Sequence, residues 1–328
     1  MTAGAALDAI DRRLLNAIQK DFPLVPRPFA AIAEHLGIGE EDALARTRRL
    51  KDDGIIRQIS AIFDSRRLGY SSTLVAMSIP EGHVDESAGL ISEHPGVSHN
   101  YKRDHAFNVW FTLTLPPDAD LESEVARLSG QAGAAQTRIL PALRLFKIGV
   151  ELDLEEGVNA AEKRPHNAQP PRAFTEEDLA YVRVLQQDLP LEPAPFDAWA
   201  ESLGVSQEEM FAKAKELEAS GAMRRFAAVL RHQKAGFVAN GMICWRIPED
   251  RLPDLGYRLA AYPEVSHCYQ RPVYPDWPYS VFSMVHARSR EGCEEIALRM
   301  SQDIGISEYA ILYSTKEYKK ERVKYYVG

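Results

Sequence analysis

The sequence predicts an α+β protein built as a tandem repeat. Each copy joins a winged helix-turn-helix to a ferredoxin-like domain of βαββαβ order. Two observations support this prediction. First, one short motif occurs twice, as Val97-Ser-His-Asn-Tyr-Lys-Arg103 and as Val265-Ser-His-Cys-Tyr-Gln-Arg271. Second, each copy begins with amphipathic helical stretches and continues with alternating β-rich and helical stretches.

The repeat extends well beyond this motif. Residues 18–29 match residues 185–196, and residues 33–38 match residues 200–205. So long a period indicates two homologous modules rather than a solenoid of short repeats. We therefore expect winged helix-turn-helix domains at 1–64 and 173–231, ferredoxin-like domains at 65–154 and 232–328, and a proline-containing linker at 155–172.

The first part of each module is predicted to be helical. Asp8 is placed to cap a first helix, which the prolines from Pro23 onward end. A second helix is expected over 29–36, where Gly37 stops it, and a third over 40–54. A Gly-Ile-Ile-Arg run then leads into a strand, which completes the outline of a winged helix-turn-helix.

The second part of each module alternates strands and helices. In the first module, strands are expected at 72–79, 97–103, 106–115 and 137–148, with helices at 84–94 and 121–130. This order places both helices on one face of the sheet, so the other face needs a cover. Because the chain holds two copies, we expect the two sheets to pack face to face and to enclose a cavity.

The repeated motif carries the candidate site. His99, Tyr101 and Arg103 fall at every second position, as do His267, Tyr269 and Arg271. On a strand, this spacing places all three side chains on one face. A proton donor, a phenol and a permanent cation directed at one volume suit the holding and protonation of an anionic ligand.

Composition excludes several classes of protein. The hydrophobic content of 45% and the charged content of 26% are typical of a soluble protein, and no apolar run approaches the roughly 20 residues of a membrane helix. A formal net charge of -8 argues against a dedicated nucleic-acid binder. Cys244, Cys268 and Cys293 form no CxxC pair, so neither a metal site nor a disulfide is predicted, and a cytoplasmic location is expected.

The first half of the chain resembles the Lrp/AsnC family of transcription regulators. The residues that carry this resemblance are Leu7, Asp11, Leu14, Leu15, Ile32, Ala33, Leu36, Gly37, Arg49, Leu50 and Gly54. A more specific resemblance is to the siroheme decarboxylase branch of that family. It rests on 22–24, 27–29, 61–64, 68–70, 97–103 and 108–111, and the tandem form resembles a fusion of the two subunits of that enzyme.

The resemblance implies an enzyme that converts two acetate groups of siroheme to methyl groups, giving didecarboxysiroheme and carbon dioxide. It implies no added cofactor, since the iron tetrapyrrole is the substrate. His99 and His267 are then acid candidates, because the pKa of a free histidine is near ~6.5. Tyr101 and Tyr269 would orient the substrate. Axial ligation of the siroheme iron is the alternative role for either histidine.

Further substrate-binding candidates are less specific. Arg103 and Arg271 would hold carboxylates, and Arg57 and Arg224 lie where they could reach others. Asn108 and Trp110 belong to the family motif, although Trp110 also suits a plain core position. The second copy departs from the pattern, with Cys268 in place of Asn100 and an aromatic, proline-rich insertion at 272–278, so two equivalent active sites are not expected.

The alternative function is a ligand-sensing, DNA-binding regulator. Arg46, Arg48, Arg49 and Lys51 form a basic stripe on the presumed recognition helix, but the second copy interrupts its lysines with glutamates. DNA is therefore not the expected partner, and the helix-turn-helix is interpreted as a structural remnant. The expected partners are siroheme and its product, a second copy in a homodimer, and a downstream enzyme of heme synthesis, with no membrane.

Overall fold

The computed structural model describes residues 7–147, 151–152, 159–160, 173–230, 239–287 and 289–327. The first module begins with helices α1 (Ala9–Lys20), α2 (Pro28–Leu36) and α3 (Glu40–Asp52), followed by strand β1 (Ile56–Phe63). As predicted, Asp8 caps α1, where its side chain accepts a hydrogen bond from the Asp11 amide. Gly37 ends α2 in the left-handed conformation, with φ 72°.

The ferredoxin-like part of the first module follows the predicted order. Its elements are β2 (Ser71–Ser78), α4 (Val84–Glu93), β3 (Val97–Arg103), β4 (Val109–Leu115), α5 (Leu121–Gln131), β5 (Gln136–Pro141) and β6 (Arg144–Lys147). The last predicted strand, 137–148, is wrong as a single strand. It breaks at residues 142–143 because β5 pairs with β2 whereas β6 pairs with β11 of the second module, defined below.

The second module repeats this plan. After two short strands, β7 (Glu151–Leu152) and β8 (Asn159–Ala160), its elements are α6 (Glu176–Leu185), α7 (Asp197–Leu203), α8 (Gln207–Ala219), β9 (Met223–Leu230), β10 (Ala239–Trp245), α9 (Leu252–Ala261), β11 (Val265–Gln270), β12 (Val281–Ala287), α10 (Arg290–Ile304) and β13 (Tyr309–Lys320). The predicted linker lies outside the described residues, apart from β8. Among the described helices, none is both long enough and apolar enough to cross a membrane.

The two modules share their sheets. Strand order is β5-β2-β4-β3-β13-β10-β12-β11-β6, so the last strand of each module extends to the edge of the other module's sheet. Residues 309–313 of β13 pair with β10, and residues 314–320 pair with β3. Strands β1 and β9 form a separate antiparallel ribbon, which joins the two winged helix-turn-helix domains. Each module is therefore completed by strands of the other.

Hydrophobic packing confirms that the sheets face each other. Helices α4 and α5 cover one face of the first sheet, while Trp110 and Ala76 on its other face join Met242 and Phe282 in a shared core. The prediction of a cavity at this interface is wrong for its centre. Aromatic side chains fill that space, including Trp277 from the 272–278 insertion, which is 1% exposed.

Candidate active site

Strand β3 presents the first copy of the motif as the sequence predicts. The amide of Asn100 is directed toward the helices, where Nδ2 donates to the carbonyl of Ala88 in α4. His99 and Tyr101 therefore lie on the opposite face, with ring centroids 6.3 Å apart. The guanidinium of Arg103 follows on that face, 5.9 Å from the centroid of the Tyr101 ring.

Strand β11 repeats this arrangement in the second module. Cys268 is directed toward α9, and the rings of His267 and Tyr269 are stacked with centroids 6.2 Å apart. Nδ1 of His267 lies 2.9 Å from Ser266 Oγ, which in turn lies 2.6 Å from Nε2 of His286. The paired histidines are specific to this module, since Ser98 contacts His99 alone among histidines within the described residues.

The His99 end of β3 is strongly cationic. Nη2 of Arg57 donates to the carbonyl of Lys320 at 2.7 Å, and Lys320 lies opposite His99 in the β3–β13 ladder. Burial, together with the charges of Lys320 and Arg57, lowers the pKa of His99 to about 4. Without ligand, His99 is therefore neutral at pH 7.

Tyr101 has an acidic neighbour on β13. Glu317 lies opposite Tyr101 in the ladder, whereas Leu145 lies opposite Tyr269. Burial and the negative charge of Glu317 raise the pKa of the Tyr101 phenol. Tyr101 is therefore a hydrogen-bond donor at neutral pH and not a phenolate.

The two motif arginines join the modules reciprocally. Arg103 is 6% exposed, and its Nη1 donates to the carbonyl of Leu312 in β13 at 2.8 Å. Nη1 of Arg271 donates in the same way to the carbonyl of Leu140 in β5. Burial lowers the pKa of each arginine to about 10. Within the described residues, the Nε atom of each arginine is buried and has no hydrogen-bond partner.

The insertion 272–278 packs against the first module. Tyr274 Oη donates to the carbonyl of Ile139 at 2.7 Å, and Nε of Arg138 donates to Asp276 at 2.9 Å. Trp277 packs against Phe107 and other aromatic rings of the first module. The insertion therefore joins the two modules next to Arg271, the last residue of the second motif.

A cleft of about 540 Å³ opens at the Arg103 end of β3. Its lining combines basic and acidic side chains with polar ones: Lys102, Arg103, His105, Lys316, Glu81, Asp85, Asp104, Asn108 and Thr315. Asn108 holds the backbone of Ile79 through two hydrogen bonds of 2.8 and 2.9 Å, which fixes the wall of the cleft. Trp110 is 1% exposed, which favours the core position among its two predicted roles.

Arg224, the remaining predicted arginine, pairs with an acidic residue, since its Nη2 donates to Asp64 at 2.9 Å.

The structure also adds site residues that the sequence repeat did not reveal. Lys320, Glu317 and Arg322 reach the site from the C-terminal end of the chain. No motif identifies them, because their contribution depends on the long-range pairing of β13 with β3.

The basic stripe of α3 is engaged within the protein. Arg46 and Arg49 both pair with the carboxylate of Asp11, at 2.9 and 2.6 Å. Lys51 pairs with Asp188 of the second module at 2.8 Å, and Nε of Arg48 donates to the carbonyl of Leu191 at 3.1 Å. The contacts of Lys51 and Arg48 hold the two helix-turn-helix domains together, which favours the interpretation of a structural remnant.

Comparison with known families agrees with this architecture. The family model of the AsnC-like ligand binding domain matches residues 67–147 and 234–319. The model of the siroheme decarboxylase NirDL-like HTH domain matches residues 11–57 and 178–224. Both therefore occur twice, once in each module.

Full-length relatives carry the same description. A siroheme decarboxylase of Hydrogenobacter thermophilus is 40% identical over 317 residues, which cover 96% of this chain and 94% of the relative. A siroheme decarboxylase beta subunit of Methanosarcina barkeri is 40% identical over 45% of this chain and 97% of its own length. The single-module relatives thus correspond to half of this chain.

Solved structures extend the likeness to three dimensions. The crystal structure of the siroheme decarboxylase NirDL matches with a TM-score of 0.78 and 35% identity, over 98% of this chain and 95% of that chain. Its co-complex with an iron-uroporphyrin III analogue matches to the same extent. The chain therefore belongs to the siroheme decarboxylase family.

Proposed function

We propose that this protein is a carboxy-lyase that removes carbon dioxide from two acetate side chains of siroheme and leaves methyl groups. The observation that carries this proposal is the His99–Tyr101–Arg103 line on β3, flanked by Arg57 and Lys320. Polar donors and cations on one sheet face match a substrate whose periphery carries many carboxylates.

The reaction requires protons but no oxidant or reductant. In each step the bond between the acetate methylene and its carboxylate breaks, and the electron pair stays with the methylene and the adjoining pyrrole. Carbon dioxide leaves, and one proton is taken up to complete the methyl group. Protonation of the macrocycle before the bond breaks makes the ring an acceptor for that pair, which is the contribution of a general acid.

We assign this proton transfer to His99, with its protonation linked to substrate binding. Burial, and after it the positive charges of Lys320 and Arg57, hold the pKa of His99 low in the free protein. Bound carboxylates offset the two charges, so the pKa of His99 rises when the substrate is in place. The neutral imidazole of the free protein also suits the alternative role, axial ligation of the iron.

The residues that share the face of β3 with His99 position the substrate. Tyr101 is a neutral donor beside His99, and Arg103 brings a positive charge to the lining of the cleft. Asn108 supports the cleft wall from behind. We place the chemistry in the first module because Arg57 and Lys320 lie beside its histidine.

The test is anaerobic incubation of the purified protein with siroheme and without added cofactor, followed by mass spectrometry of the tetrapyrrole. Loss of two carbon dioxide molecules per siroheme is the expected result. An unchanged tetrapyrrole that remains bound would overturn the proposal and indicate a sensor instead. For the His99 assignment, an unchanged absorption spectrum of bound siroheme in His99→Ala would exclude axial ligation.

A further inference from the structure

The C-terminal segment that follows β13 passes between the His99 end of β3 and the β1–β9 ribbon. The Glu321 amide donates to the carbonyl of Ser98 at 2.7 Å. One residue farther on, Nη1 of Arg322 donates to Ser60 Oγ at 3.1 Å and lies 3.4 Å from the carbonyl of Ala61. Arg322 is thereby fixed on β1, the strand that also carries Arg57.

The charges around Arg322 are predominantly positive. Burial and the guanidinium groups of Arg57, Arg224 and Arg225 lower the pKa of Arg322 to about 10. Both oxygens that accept from Arg322 are neutral, and among the described residues no carboxylate forms an ion pair with it. A half-buried cation among like charges is unfavourable by itself, and it becomes favourable when an anion binds.

Arg57 links this arginine group to the proposed site. Its charge acts on Arg322, on His99 and on Tyr101, so all three lie within the range of one guanidinium. Lys320 adds a further cation between them, opposite His99. Cationic side chains thus lie along the path from β3 to the ribbon.

We propose that Arg322, with Arg57 and Lys320, forms a subsite that binds peripheral carboxylates of the tetrapyrrole. The inference rests on the proposed function and names a residue that holds the substrate at the His99 end of β3. A guanidinium suits this role because it remains charged at neutral pH and binds a carboxylate through paired hydrogen bonds. The subsite would favour densely carboxylated tetrapyrroles over sparsely carboxylated ones.

A purely structural role for Arg322 makes a different prediction. The segment has other anchors, since Nε of Arg183 donates to the carbonyl of Tyr326 at 2.7 Å and the Tyr325 amide donates to Gln186 at 2.7 Å. Loss of Arg322 therefore leaves the segment attached. Arg183→Gln removes an anchor without touching the proposed subsite, and it serves as the matched control.

The experiment measures binding of two probes by absorbance titration. The probes are uroporphyrin III, with acetate and propionate groups on every pyrrole, and mesoporphyrin, with a single pair of propionates. We expect Arg322→Gln to weaken uroporphyrin binding by about tenfold or more, Arg322→Lys to restore part of it, and mesoporphyrin binding to change little.

Two outcomes would overturn the inference. One is wild-type affinity of Arg322→Gln for uroporphyrin. The other is an equal loss in Arg183→Gln, which would assign the effect to attachment of the segment. Neither outcome bears on the proposed function, because turnover of siroheme by the wild-type protein tests that separately.

Discussion

The indole of Trp277 lies 5.2 Å from the indole of Trp110, so a loop found only in the second module completes the core between the two sheets. This contact fills part of the centre of the interface with aromatic side chains. It also makes the two copies of the site unequal, since the loop that carries Trp277 is fastened to β5 of the first module.

Replacing Trp277 by alanine should lower the free energy of unfolding by about 3–5 kcal/mol, because the side chain is fully buried among aromatic rings. Urea denaturation measures this change. The control is Tyr274→Phe, which removes only the hydrogen bond to Ile139 and should cost about 1 kcal/mol. Equal decreases in the free energy of unfolding of the two variants would contradict the role of Trp277 in packing the interface core.

The two histidines of the repeated motif should contribute unequally to turnover. We expect His99→Ala to lower kcat by about 10²–10⁴-fold, since it removes the proposed general acid. The matched change His267→Ala should have a much smaller effect. Single-turnover kinetics with siroheme measure both variants, and a larger loss in His267→Ala would place the chemistry in the second module.

His99 should also make stability depend on pH. The pKa of His99 is about 4 in the folded protein against 6.5 for a free histidine, so between these values the unfolded chain binds a proton that the folded chain does not. The contribution is fully present above pH 6.5 and is lost as the pH falls toward 4. Between pH 7 and 5, the wild type should lose about 2 kcal/mol more stability than His99→Gln. Denaturant titrations at the two pH values test this prediction. Equal losses of stability in the wild type and in His99→Gln would refute it.

Two helical glycines should respond to alanine in opposite directions. A Cβ atom on Gly256 would collide with the ring of Phe146, so Gly256→Ala should destabilise the protein by about 1–3 kcal/mol. Gly89 in α4 has open space around its Cβ position, and Gly89→Ala should stabilise by up to about 1 kcal/mol. Thermal melts compare the pair. An increase in melting temperature for Gly256→Ala would show that β6 does not pack closely on α9.

Much of each module followed from local signals in the sequence. Apolar spacing, the Asp8 cap and Gly37 located the first helices to within a residue or two. The alternation within 97–103 correctly placed His99 and Tyr101 on one face, because side-chain direction in a strand depends only on position. Duplication then extended these assignments to the second module.

The relations between modules could not be predicted in this way. The exchange of β6 and β13, the β1–β9 ribbon and the charges of Lys320 and Arg322 depend on pairing between residues far apart in sequence. Composition also gave no indication that Trp277 would fill the interface. The low pKa of His99 was equally hidden from the sequence. Burial is its main cause, and Lys320, one of the cations that lower it further, comes from β13.

The sharing of β13 has a consequence for the order in which the protein is made. The second half of β13 supplies the partner for the outer edge of β3, yet it leaves the ribosome only after the other strands of the second module. Until then, the first module exposes an unpaired strand edge that carries His99 and Tyr101, and such edges tend to pair with other chains. A chain truncated before residue 309 would keep that edge unpaired. The synthesis of β13 is therefore the step that converts a nascent, association-prone first module into a closed one.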